Sequence, residues 1–257
     1  MAVYPDSPDL GSAACPAAGH FAVNIPDARM ACSTNEWSQT LDAELWHERW
    51  REGRIGFHLN ETNPNLSEWY SKLELVAGQR VFVPLCGKSL DLLWLGSQGL
   101  DVVGVEISEL AVRSFFEENG LEPEVASVND HDQWCAGNIT ILHANYFDLQ
   151  PNDLGPIDAV YDRASLIALP PDMRGAYAEK MRELVSTNVP MLLITLDYPG
   201  HQMSGPPFPV SSGEVGELYG DHYRIERLAC MDLLSDEPHW REKGLEELTE
   251  NIYLLGR

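Results

Sequence analysis

The chain has 257 residues, 17 Lys and Arg against 40 Asp and Glu, and a formal net charge of −23. That length fits one α/β domain with an appendage, and an acidic chain with no basic cluster to recruit phosphates argues against a DNA or RNA partner. Five cysteines, odd in number and without a C-x-x-C pair, suggest neither a disulfide framework nor a zinc site, so no metal is expected.

Residues 1 to about 38 are rich in Ala, Pro, Gly and Ser without a sustained period, and read as a flexible extension. The first basic residue is Arg29 and no apolar run approaches membrane-spanning length, so a soluble, cytoplasmic protein is expected, and a monomer. A single domain is expected over 39–257. Its first helical pattern runs through Leu41, Leu45, Trp46 and Trp50. Gly53 and Gly56 break it, and Asn63-Pro64 can open a second helix carrying Leu66, Trp69 and Tyr70; the stretch 41–75 is expected to form a helical lid.

From Arg80 onward strands and helices alternate, which argues for a parallel sheet covered on both faces. Strands are expected near 80–85, 101–106, 139–143, 157–162 and 190–197. Helices are expected near 89–98, 108–119 and 172–186, the second capped by Ser108 and stopped at Gly120. Apolar runs at 223–233 and 251–255 suit a terminal hairpin-like pair, separated by a Glu-rich helix near 240–249. The sum is an α/β fold with a Rossmann-like, seven-stranded, mostly parallel sheet, the shape of a class I methyltransferase.

The stretch Arg80-Val-Phe-Val-Pro-Leu-Cys-Gly-Lys-Ser-Leu-Asp91, followed by Val102-Val-Gly-Val-Glu106, carries the chemistry. An apolar run ends at a Gly turn, and a second run delivers an acid nineteen positions after Gly87. That is the layout of a nucleotide-binding β-α-β unit, in which Gly87 lets backbone approach the ligand and Glu106 takes the ribose hydroxyls. A dinucleotide site needs three glycines to cradle a pyrophosphate, and Gly87 stands alone. S-adenosylmethionine keeps the ribose and has no phosphate, which makes it the expected cofactor. A ligand-free β-α-β unit and a solvated strand-end acid are the plain alternatives.

Other candidates divide between chemistry and packing. Trp46 and Trp50 share one helix face, a spacing that favours core. Asp162 and Arg163 follow the apolar strand 157–161 and are candidate catalytic residues, although an adjacent acid and base can also be an exposed pair. Gly205-Pro-Pro-Phe-Pro209 is either a linker or a stiff wall presenting Pro207 and Phe208 to a flat substrate. His47 and His58 read as structural histidines.

Six ordered blocks, Trp46-His-Glu-Arg-Trp50, Ile55-Gly-Phe-His58, Val83-Pro-Leu-Cys-Gly-Lys-Ser89, Gly104-Val-Glu-Ile-Ser108, Tyr161-Asp-Arg-Ala164 and Gly205-Pro-Pro-Phe208, resemble those of thiopurine S-methyltransferases. The resemblance covers roughly 41–257. It implies that Trp50 packs against S-adenosylmethionine, that Leu85 lies beside its methionine part, that Glu106 holds the ribose and that Arg163 lines the site. Phe57, Pro207 and Phe208 are the candidate substrate contacts. The implied reaction methylates the sulfur of a small heteroaryl thiol; alternative acceptors are selenium or tellurium species, sulfide and alkyl thiols. A nucleotide-dependent oxidoreductase and a noncatalytic S-adenosylmethionine-binding protein are the rival classes.

Overall fold

The computed structural model describes residues 35–235 and 238–256. The expected extension therefore lies outside the described residues except at its end, where α1 (Asn35–Arg51) has already begun. Next comes α2 (Pro64–Trp69), opened by Pro64 at its first turn and by the Asn63 side chain, which accepts from Asn65 N at 2.9 Å. The alternating part follows: β1 (Arg80–Val83), α3 (Asp91–Ser97), β2 (Asp101–Glu106) and α4 (Glu109–Glu118). Ser108 caps α4 as expected, its Oγ accepting from Ala111 N.

Then come β3 (Glu124–Val128), β4 (His131–Ala136), β5 (Ile139–His143), α5 (Pro151–Leu154), β6 (Ala159–Arg163), α6 (Pro171–Leu184) and β7 (Met191–Asp197). The chain closes with α7 (Ser212–Tyr219), β8 (Arg224–Asp232), α8 (Pro238–Glu242) and β9 (Thr249–Gly256). Among the described residues no helix is long and apolar enough to cross a membrane.

The nine strands of the described residues form one sheet in the order β3-β4-β5-β2-β1-β6-β7-β9-β8. The five strands from β5 to β7 are parallel; β9 runs antiparallel to β7 and pairs with β8, the expected terminal hairpin. Seven strands were expected, and the additional pair is β3–β4, a hairpin laid antiparallel on β5. β3 is almost wholly exposed, so it carries no apolar run. Its turn is Asn129-Asp130, with Asn129 in the left-handed region (φ 55°) that a tight hairpin requires. The Glu-rich helix expected near 240–249 stops at Glu242, because Gly244 adopts φ 93° and the chain re-enters the sheet at Thr249.

Side chains alternate across the strands and sort into two cores, one on each face. Phe82, Val103 and Val105 meet α6 and α7 through Met173, Tyr177, Met181, Val215 and Tyr219. Val81, Val83 and Val102 meet α3 and α4 through Leu92, Leu95, Val112, Phe115 and Phe116. From β1 the chain first builds outward through β2 to β5, then returns to the other side of β1 at β6. That reversal opens a crevice at the carboxyl ends of β1 and β6, where ligands bind in open α/β sheets.

Tight packing beneath the crevice fixes one glycine. A Cβ added at Gly104 in β2 would lie 2.7 Å from Cys86 Sγ and 3.3 Å from Cys86 Cβ, both buried. Gly104→Ala is expected to cost about 1–3 kcal/mol by overpacking, and Cys86→Ala in the same chain to recover most of it. Urea unfolding of the three variants checks both.

Candidate active site

The crevice is a cavity of about 520 Å³, within the usual size range of small-molecule sites. Its floor is made by strand ends. Gly87 and Leu85 come from the turn after β1, Glu106 from β2, Arg163 from β6, Leu196 from β7 and Glu250 from β9. Neighbouring strands lie about 4.8 Å apart, so Glu106 marks one end of the floor and Glu250 the other. Leu85 and Gly87 both sit at positive φ, 42° and 55°. For Leu85 this is a conformation that side chains disfavour.

Glu106 joins two turns. Its Oε2 accepts from Gly87 N at 2.9 Å and its Oε1 from Ser108 N at 2.8 Å. Each oxygen keeps acceptor capacity for a further hydroxyl. The residue is only 5% exposed, and burial pushes its carboxyl up to about 7 despite the opposing backbone hydrogen bonds from Ser108, Gly87 and Ile107. At Gly87 a Cβ would lie 3.1 Å from Trp50 Cζ2, so the glycine leaves room between turn and tryptophan that any side chain would close.

The roof is aromatic. Phe57 stands edge-on between Trp46 and Trp50, with both centroid distances 5.6 Å, and all three line the cavity. Trp46 was expected to be a packing residue; it faces the cavity as well. Arg49 crosses the Trp46 ring at 5.6 Å, and burial is the main cause that lowers its pKa. The roof is anchored to the floor at the start of α2. Asp91 accepts from Asn63 N at 2.7 Å and from Tyr161 OH at 3.0 Å, while Asn65 Nδ2 donates to Glu250 at 2.6 Å.

Two expected site residues lie elsewhere. Asp162 does not line the cavity: adjacent strand residues face opposite sides of a sheet, so with Arg163 turned to the crevice Asp162 is turned into the core. It is fully buried, its Oδ2 accepts from Tyr177 OH at 2.8 Å and its Oδ1 from Leu166 N at 3.4 Å, and burial pushes its carboxyl up to about 6. Phe208 is displaced from the wall as well. Its N–H donates to Ile167 O at 2.7 Å and its ring lies where a Cβ on Gly205 would be. Pro206 and Pro207 form the wall instead.

Arg163 faces the cavity without a carboxylate partner among the described residues. Its near neighbours are better matched: Lys88 is paired with Glu118 at 2.6 Å and Arg54 with Glu52 and Glu48. His58, expected to be structural, also lines the cavity, and burial followed by the charge of Lys88 lowers its pKa. Leu233, Trp240 and Lys243 close the far end. No spacing rule pointed to these three, since only the placement of β9 beside β7 brings them there.

A family model for thiopurine S-methyltransferase matches residues 41–257. The chain belongs to the thiopurine S-methyltransferase family. It is 49% identical over 215 residues to a thiopurine S-methyltransferase of Nitrosospira multiformis, covering 84% of this chain and 98% of that one. It is 48% identical over 216 residues to that of Methylococcus capsulatus, covering 84% and 97%. Among solved structures, the Burkholderia thailandensis 1,6-didemethyltoxoflavin-N1-methyltransferase matches with a TM-score of 0.57 at 14% identity, over 90% of this chain and 94% of that chain. A methyltransferase from Anabaena variabilis matches with the same TM-score and identity, over 84% and 94%. These two share the class I fold.

Members of this family are S-adenosylmethionine-dependent, and the residues present fit that group. The cradle at Gly87 exists only because no Cβ fills it, and Glu106 offers a buried carboxylate with acceptor capacity to spare.

Glu106 also gives the pH behaviour. Its carboxyl is held above the ordinary value of 4.5, near 7, so the folded chain keeps a proton that the unfolded chain has lost. Its contribution to stability is therefore complete below about pH 4.5 and lost as pH rises through about 7. Ligand binding needs the opposite form, since only the carboxylate accepts from two hydroxyls. S-adenosylhomocysteine affinity, measured by calorimetry, is expected to weaken as pH falls from 8 to 6 in the native chain and to stay flat in Glu106→Gln.

Proposed function

We propose that this chain transfers the methyl group of S-adenosylmethionine to the sulfur of a small heteroaryl thiol such as a thiopurine, releasing S-adenosylhomocysteine. The observation that carries this reading is the pairing, in one aromatic-walled cavity, of the Glu106–Gly87 cradle with an Arg163 guanidinium that no described carboxylate neutralises. S-adenosylmethionine, when bound, supplies a methyl group on a positively charged sulfur that is already a strong electrophile.

The chain's own residues do the rest. Glu106, the Leu85–Gly87 turn and Trp50 hold the donor. Phe57, Pro206 and Pro207 offer flat apolar walls to a ring. The edge-to-face Trp46, Phe57 and Trp50 shut water out, and dehydration and alignment together account for much of the barrier lowering, orientation alone contributing about 7–11 kcal/mol. Heteroaryl thiols ionise near neutral pH, and Arg163 favours the thiolate by opposite charge or grips the donor's carboxylate as a bidentate fork. Residues 41–75 serve as the lid of a domain spanning 39–257. The acidic chain acts on a small molecule in the cytoplasm, as a monomer, without nucleic acid.

The decisive assay follows methyl release from labelled donor with a thiopurine, an alkyl thiol and selenite as acceptors. The thiopurine is expected to give the highest kcat/KM; turnover on selenite alone would overturn the reading. Glu106→Ala is expected to weaken S-adenosylhomocysteine binding about 10- to 100-fold, the loss of hydrogen bonds to a charged group, with the fold intact by circular dichroism. Arg163→Met is expected to lower kcat/KM for the thiol about tenfold or more and to move its pH profile upward, because an unassisted thiol needs higher pH to ionise. A parallel fall in donor affinity would assign Arg163 to the donor's carboxylate instead.

A further inference from the structure

Behind the wall formed by Ile167, Ala168, Pro206 and Pro207 lies a charge that the proposed chemistry does not use. Arg174, on α6, is 0% exposed and is among the largest fully buried side chains. Its Nη1 donates to both oxygens of Glu214, at 2.6 and 2.7 Å, and its Nε donates to Leu169 O at 3.0 Å. Its Nη2 has no hydrogen-bond partner among the described residues.

Such a pair is an expensive way to fill a core. Desolvating the guanidinium offsets much of its attraction to Glu214, whose side chain keeps 27% exposure, and apolar replacements of similar size are often equally stable or more so. Its position gives it another use. Leu169 directly follows Ile167 and Ala168, and Glu214 stands in the first turn of α7, directly after the loop that carries Pro206 and Pro207. The same loop is tied down by Tyr198 OH to Pro207 O at 2.7 Å, Phe208 N to Ile167 O at 2.7 Å and Val210 N to Leu196 O at 2.7 Å. Burial raises the pKa of the Tyr198 phenol, and the Arg174 charge opposes that rise. One buried guanidinium thus joins the two segments that make up one side of the cavity.

We infer that Arg174 is a positioning residue for the methyl acceptor: bridging Leu169 and Glu214, it sets where the Ile167–Ala168 and Pro206–Pro207 walls stand. This rests on the proposed methyl transfer for its kinetic readout. Arg174 touches neither reactant, so its effect is confined to the acceptor side and leaves the Glu106 end alone.

The test uses the full chain with Arg174→Met and Glu214→Leu combined, which removes both charges, and Glu214→Asp, which keeps the charge and shortens its reach, as a gentler second variant. The double variant is expected to keep its thermal midpoint and its S-adenosylhomocysteine affinity while acceptor KM rises about tenfold and kcat/KM falls ten- to a hundredfold, the scale of a small misplacement. Glu214→Asp is expected to move the same way by less. Amide exchange gives a readout independent of any acceptor: the Phe208 and Val210 N–H groups are expected to exchange faster in both variants. Unchanged acceptor KM, or donor affinity falling in step with it, would overturn the inference. Absence of thiol turnover in the native chain would sink the functional reading, while exchange at Phe208 and Val210 would still test the brace.

Discussion

The site depends on one carboxylate that binds backbone N–H groups of two turns. Glu106 ends β2, yet it binds the N–H of Gly87 in the turn after β1 and the N–H of Ser108 at the cap of α4. Together with Cys86 N, which donates to Val105 O at 2.9 Å, these contacts hold the two loops at a fixed separation. A buried carboxylate is tolerated because both oxygens are satisfied. The cost appears as a carboxyl that holds its proton to near neutral pH, and any ligand that hydrogen-bonds the ionised form relieves it.

Ionisable groups repeat this pattern around the cavity. Asp162 is buried under Tyr177, and Arg174 under Glu214, each next to a segment that faces the crevice. Hydrophobic residues in their places would desolvate more cheaply. Hydrogen bonds are directional, however, and apolar contacts are not, so these groups specify where a loop goes. The Asp162–Leu166 contact sits under a turn in which Ala164 adopts φ 61°, a strained conformation of the kind that clusters at functional sites.

Much of this architecture was legible because it obeys local periodicity. The run Arg80–Val83, the lone Gly87 and the acid at Glu106 state a strand, a turn and a second strand end in one stretch, and the structure places both residues on the cavity floor. The β3–β4 hairpin was not legible, since β3 is almost wholly exposed and β4 buries only Trp134 and Cys135, which leaves no apolar alternation; only Asn129-Asp130 hinted at it. Asp162 shows a rule left unused, for strand parity alone forbids it and Arg163 from reaching the same crevice. Phe208 shows a real limit, because loop side-chain directions are not encoded by period. Leu233, Trp240 and Lys243 belong to the site only through the long-range pairing of β7 with β9, which no short window reveals.

The way the roof is fastened has a kinetic meaning. From Asn63 on, the chain is nailed to the floor by Asp91 and Glu250, while α1 ends at Arg51 and is followed by Gly53 at φ 69° and Gly56, neither with any neighbour that a Cβ would strike. On the proposed reading α1, with Trp46 and Trp50, is the moving part of the lid and the stretch between Arg51 and Asn63 is its pivot, so the sheet that aligns the reacting atoms need not flex at each turnover.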